Sequence, residues 1–134
     1  MGYKQQVLDK EKSSLAHLRM QQQKMQEEKE QLEASLRRSA EEFRELSEKG
    51  VTVTQITMFK GYHQSLRMQI KELENSIEDM ETKVQKQLGV VVEATKEVSS
   101  LEKLEEKQLE DYRFKVAKAE EQFISEYVMN STYR

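Results

Sequence analysis

From Leu8 to Leu46 the side chains fall on the heptad template that sustains a coiled coil. One column reads Leu8, Leu15, Gln22, Lys29, Leu36, Phe43 and the other Leu18, Met25, Leu32, Ser39, Leu46. Eight of these eleven positions are apolar, and the residues between them are mostly Glu, Lys, Arg and Gln. A stripe two residues wide in every seven can be covered by one neighbouring helix and by little else. The 134-residue chain contains no proline, so few positions force such a helix to stop. Hydrophobic residues make up only 36% of it, too few for a thick core but enough for a seam. Gln22 and Lys29 stand at polar seam positions, which cost stability and restrict register.

The first helix is expected to end near Lys49-Gly50. Lys49 suits the negative end of the helix dipole, and Gly50 can take the left-handed cap. Thr52 and Gln55 have the spacing of a capping box, with Val51 and Ile56 as its hydrophobic staple. The expectation is therefore helix one over about 4–48, a turn over 49–52 and helix two over about 53–128, in a single coiled-coil domain spanning 1–134. So short a turn makes the helices antiparallel. The fold class is all-α, a two-helix hairpin whose second helix is the longer.

In helix two the stripe runs Phe59, Tyr62, Leu66, Ile70, Leu73, Ile77, Met80, Val84, Val91, Val98 and Leu101, with Gln87 and Ala94 in the remaining places. The step from Leu66 to Ile70 reads as a stutter in the heptad phase. Gly89, followed by Val90-Val91-Val92, is a weak point for a helix. A break there, giving a three-helix bundle, is the alternative to a continuous helix. Residues Asn130 to Arg134 are expected to fray.

Counting back from the turn, Tyr3 falls opposite residues near 97. Beyond that level the stripe continues as Leu104, Leu109, Tyr112, Val116, Ala119, Phe123 and Tyr127 with no partner in the chain. An apolar stripe left bare on a helix calls for a partner. Residues 101–127 are expected to bind another protein or a second copy of the chain.

The sequence carries little that could do chemistry. Cysteine is absent, which excludes disulfides and thiolate metal sites and suits a reducing cytoplasm. His17 and His63 lie in no metal-binding or nucleophile pattern, and phosphate-binding glycine loops are missing. His17, beside Leu18, reads as a flanking residue, while His63 after Tyr62 could meet a partner. No apolar run approaches the ~18 residues of a membrane span. The formal net charge of -3 argues against a nucleic-acid groove. The chain reads as a binding protein, with no enzyme activity, cofactor or metal.

Aromatic residues gather in two places, Phe59 and Tyr62 near the turn and Tyr112, Phe114, Phe123, Tyr127 and Tyr133 near the C-terminus. They fill a seam or anchor an interface, where aromatics concentrate. Phe114 stands off the stripe, so seam packing does not explain it if it is exposed.

Several segments together resemble the flagellar export protein family FliJ. The start, Tyr3-Lys4-Gln5-Gln6-Val7-Leu8-Asp9-Lys10-Glu11-Lys12, is similar to that family's aromatic-basic opening. The turn Lys49-Gly50-Val51-Thr52, the stretch with Phe59, Tyr62 and Leu66, the run from Leu101 to Gln122, and Ile124-Ser125-Glu126-Tyr127 follow in the family's order. The start carries one aromatic, Tyr3, where members often have two. The resemblance implies a non-enzymatic, stalk-like coiled coil of the flagellar type III export apparatus. Its implied partners are the hexameric export ATPase, the cytoplasmic domain of the export-gate membrane protein, and export chaperones. It implies a cytoplasmic location, peripheral to the inner face of the cell membrane at the flagellar base. Carried onto this sequence, Phe59, Tyr62 and Leu66 become candidates for gate contact. Leu104, Tyr112, Phe114, Val116, Phe123 and Tyr127 become candidates for contact with the ATPase or another partner. The alternatives are a related stalk of a virulence secretion system, or a structural dimer formed through 101–127 without an ATPase.

Overall fold

The computed structural model describes residues 2–132. They form two helices, α1 (Gly2–Lys49) and α2 (Val53–Thr132). The helices pack against each other as a hairpin, and no strand occurs among the described residues.

The reversal is built as its residues dictate. α1 stops at Lys49, and Gly50 adopts φ 104°, a left-handed conformation that costs glycine little. At the start of α2 the Thr52 amide donates to Gln55 Oε1 (2.9 Å), and the Gln55 amide donates to Thr52 Oγ1 (3.1 Å). Two helix-end amides that would otherwise lack partners are thereby satisfied. The first α2 backbone bond runs from the Ile56 amide to the Thr52 carbonyl (3.1 Å). Val51 and Ile56 are both half-buried beside it, where the staple requires them.

The chain divides into two compact units, each made from a stretch of both helices. The unit Lys10–Val91 holds the hairpin turn and most of the seam. Leu15, Met80 and Val84 are its tightest cluster, with Leu18, Met25, Leu88 and Val91 packed around them. Most other seam residues are only half-buried, because two helices cover each other along one stripe and leave its margins to water. Aromatic and polar pairs mark the register. Phe43 and Phe59 meet edge to face with centroids 4.9 Å apart. Lys29 Nζ lies 3.6 Å from both Glu33 and Glu74. Gln22 donates to Glu81 across the seam (2.6 Å), and Gln87 donates to the Glu11 carbonyl (3.0 Å).

Of the described residues, the second unit joins 2–9 to 92–132. Leu8 and Val98 are buried in it, Ala94 and Leu101 are half-buried, and Lys4 Nζ bonds Glu97 at 2.9 Å. That bond sets the start of α1 against the level of α2 that counting from the turn gives.

Three expectations are corrected. The α2 seam shows no stutter, because it runs Ile56, Phe59, His63, Leu66, Ile70 in unbroken steps of three and four, with His63 in the place expected of Tyr62. His63 is accordingly a seam residue rather than a free contact group. The continuous second helix is observed as expected: α2 passes through Gly89 without a break, and the three-helix alternative is not realised. A glycine inside a helix costs only about 1 kcal/mol, which a seam on both sides of it outweighs. Finally, Asn130 to Thr132 are helical rather than frayed, and Thr132 Oγ1 donates to the Val128 carbonyl (2.8 Å). Tyr133 and Arg134 lie outside the described residues.

Candidate functional site

Among the described residues, two groups of exposed apolar side chains outside the seam include the predicted contact residues. The larger belongs to the second unit. Through Val98 and Leu101 the apolar face of α2 is covered or partly covered, and from Glu102 to Thr132 every residue is exposed. The apolar spacing nevertheless goes on, through Leu109, Tyr112, Val116, Ala119, Phe123 and Tyr127 at steps of three and four. It remains on the face that Val98 and Leu101 define, since such steps return a helix to one side. The stripe is bare because no helix faces it among the described residues. Phe123 is 71% exposed, and Leu104, Tyr112, Val116 and Tyr127 are also exposed. Up to residue 101 the apolar spacing is covered; after it an apolar stripe of period closer to 3.6 than to the seam's 3.5 stays open to solvent.

Phe114 stands apart. It is two residues from both Tyr112 and Val116, which sets it on the far side of the helix. It is 68% exposed, so packing within the chain does not account for it. The structure therefore gathers Tyr112, Val116, Phe123 and Tyr127 on one face and keeps Phe114 off it. Leu104 lies toward the edge of that stripe.

The smaller surface is near the turn, in the unit Lys10–Val91. The three gate candidates do not share it. Leu66 is 5% exposed, and Phe59 is half-buried against Phe43. Tyr62 alone faces outward, at 50%. Its neighbours on that outer face are Met58, Gly61, Ser65 and Met68, all exposed and all uncharged. Both methionines are well exposed, in a chain whose outer faces are otherwise mostly charged. Nothing lies within 4 Å of where a Cβ on Gly61 would sit, so the chain's own packing gives no reason for that glycine. The residues that sequence reasoning missed here are Met58 and Met68. Once His63 is the seam residue, the four-residue spacing from Tyr62 signals Met58; Met68, six residues on, shares a side with Gly61 and Ser65 instead.

The histidines separate by environment. His17 is exposed on the flank of the seam, as expected. His63 Nε2 is hydrogen-bonded to Ser39 Oγ at 2.8 Å, and the His63 ring sits against that of Phe59. Two surface groups have displaced titrations. The hydrogen bond and charge of Glu97 hold the Lys4 ammonium above its usual range. Hydrogen bonds from Gln22 and Gln85 hold the Glu81 carboxyl below its own. Both act in the seam's margin, where they support register. Among the described residues, no helix is long and apolar enough to cross a membrane.

Fold and surfaces together define an all-helical coiled-coil hairpin with bare apolar faces. The model of the flagellar FliJ protein family matches residues 1–134, the whole chain. The chain belongs to the FliJ family, whose members are structural components of the flagellar export apparatus. Neither a curated protein nor a solved structure matches it.

Proposed function

We propose that the chain is a stalk-like binding component of flagellar protein export that engages the hexameric export ATPase through the bare stripe of α2. The observation that carries this reading is the apolar stripe after Leu101, which stays on the face of Val98 and Leu101 without a covering helix. Tyr112, Val116, Phe123 and Tyr127 are the contact residues, with Leu104 at the margin. Phe114 would touch a partner only if that partner also reached the far side of the helix, as the wall of a ring would. Moderate apolar area set among mixed charges supports contact that can be made and released. The test is a pull-down with the export ATPase combined with measurement of its hydrolysis rate. Binding with stimulation, both lost in Tyr112→Asp with Phe123→Asp, is the expected result. An ATPase that neither binds nor responds removes the reading.

The gate contact belongs to the outer face near the turn. Of Phe59, Tyr62 and Leu66, the exposed Tyr62 is the one able to touch a partner, and Met58 and Met68 extend its surface. Exposed methionines adapt to a partner's shape at little cost. These two faces would connect the ATPase and the cytoplasmic domain of the gate protein, and would bring the chain to the membrane at the flagellar base. Export chaperones would be handed over on the same faces.

A further inference from the structure

The bare stripe can be covered in one register by a second copy of the chain. Its central residues, Tyr112, Val116, Ala119 and Phe123, are spaced four, three and four apart. That order reads the same in both directions. An antiparallel copy of the stripe therefore presents its layers at the levels where this copy presents its own. Val116 meets Ala119 of the second copy, large against small, twice about the two-fold axis. Tyr112 meets Phe123 of the second copy, and this aromatic pair also occurs twice. In the same register Arg113, on the margin of the stripe, stands opposite Glu120 of the second copy, so each end of the short interface gains an opposite-charge pair.

Occupied space selects this register over its neighbours. α1 covers the face of α2 up to about Val98, where Lys4 bonds Glu97. Sliding the second copy further toward the seam would drive its last turn into α1 and would set Arg113 against Arg113. With Tyr112 opposite Phe123, the second copy's Thr132 lies beside Lys103, clear of α1. The pairing then continues the intrachain seam, with the second copy's helix running in the direction α1 runs.

We infer that the chain self-associates as an antiparallel dimer through residues 112–123 of α2, with Tyr112 layered on Phe123 and Arg113 paired with Glu120 of the second copy. The pairing covers the face that the ATPase reading uses, so a second copy would compete with the ATPase for it. The dimer itself does not depend on that reading, because its test contains this chain alone.

Sedimentation equilibrium over a wide concentration range should show the mass rising from 15.9 kDa toward twice that value. Arg113→Glu and Glu120→Arg should each weaken association several-fold, and the double exchange should restore it, with helicity by circular dichroism unchanged throughout. Because the chain has no cysteine, introduced thiols report the register directly. A mixture of Tyr112→Cys and Phe123→Cys chains should cross-link faster than either alone, since like positions lie about 16 Å apart along the axis at ~1.5 Å per residue. A chain that stays monomeric at every concentration overturns the inference. So does a double exchange no better than the single ones, or a Tyr112→Cys chain that cross-links with itself faster than the mixture does.

Discussion

Ser39 Oγ and His63 Nε2 are 2.8 Å apart inside the seam, where each occupies a heptad position that in most layers holds an apolar side chain. Ser39 is 5% exposed, so its hydroxyl has no ready access to water if the imidazole is removed. His63→Ala should cost about 1–3 kcal/mol, the usual penalty for a buried polar group without its partner. Ser39→Ala with His63→Leu replaces the pair by apolar groups and should recover that loss or exceed it. Urea unfolding followed by circular dichroism measures both.

The turn makes a separate prediction. Thr52→Ala removes one half of the reciprocal cap and should destabilise by about 1 kcal/mol. Gly50→Ala should cost more than the ~0.4–1 kcal/mol that such a change gives where it fits, and in the opposite direction, because φ is 104° there. Equal and negligible effects in thermal melts would show that the turn is not held in this way.

Gly61 and Gly89 lie within α2 with open space where a Cβ would go. Each change to alanine should therefore stabilise the hairpin, by about 0.5–1 kcal/mol. The urea midpoint should rise with the slope unchanged. For Gly61→Ala the same protein can be tested for gate binding, since added bulk on the Tyr62 face would weaken a close contact there without loss of stability.

Leu66 and Tyr62 should part company under substitution. Leu66→Ala opens a cavity in the seam and should cost about 2–4 kcal/mol. Tyr62→Ala should stay within about 0.5 kcal/mol of the parent, as surface changes do. Loss of gate binding in Tyr62→Ala at unchanged melting temperature would mark a contact residue. Loss in Leu66→Ala together with stability would mark only the hairpin.

The pH dependence follows from two marginal groups. The Glu81 carboxyl is held below its ordinary value of 4.5 by Gln22 and Gln85, so its contribution is present above that value and fades as pH falls through the lowered one. Lys4 is held above 10.5 by Glu97, so its contribution is present below that value and fades as pH rises through the raised one. Glu81→Gln should flatten the acid limb of the stability curve, and Lys4→Met the alkaline limb. Melting temperatures across pH would show each change on its own limb only.

Much of the hairpin was legible before any coordinates. The α1 columns, the cap at Thr52 and Gln55, Gly50 and the level of Tyr3 all follow from spacing and local chemistry, since heptads and helix ends are written in residues close together in the chain. Family membership was also readable from the order of its short segments.

Which of two adjacent residues enters a seam is a different kind of fact. Tyr62 and His63 both lie near the stripe, and hydropathy favours tyrosine. The facing helix decided for His63, because the residue across from it is Ser39, which offers a hydrogen bond, and because that choice keeps the steps of three and four unbroken from Ile56 to Leu101. The same tertiary fact turned Tyr62, Met58 and Met68 outward and took Phe59 and Leu66 out of reach. Sequence alone determined that two helices would pair, where they would turn and which stripe would remain. Only the packed structure decided which side chains that pairing left at the surface, because exposure depends on what stands opposite, and what stands opposite is far away in sequence.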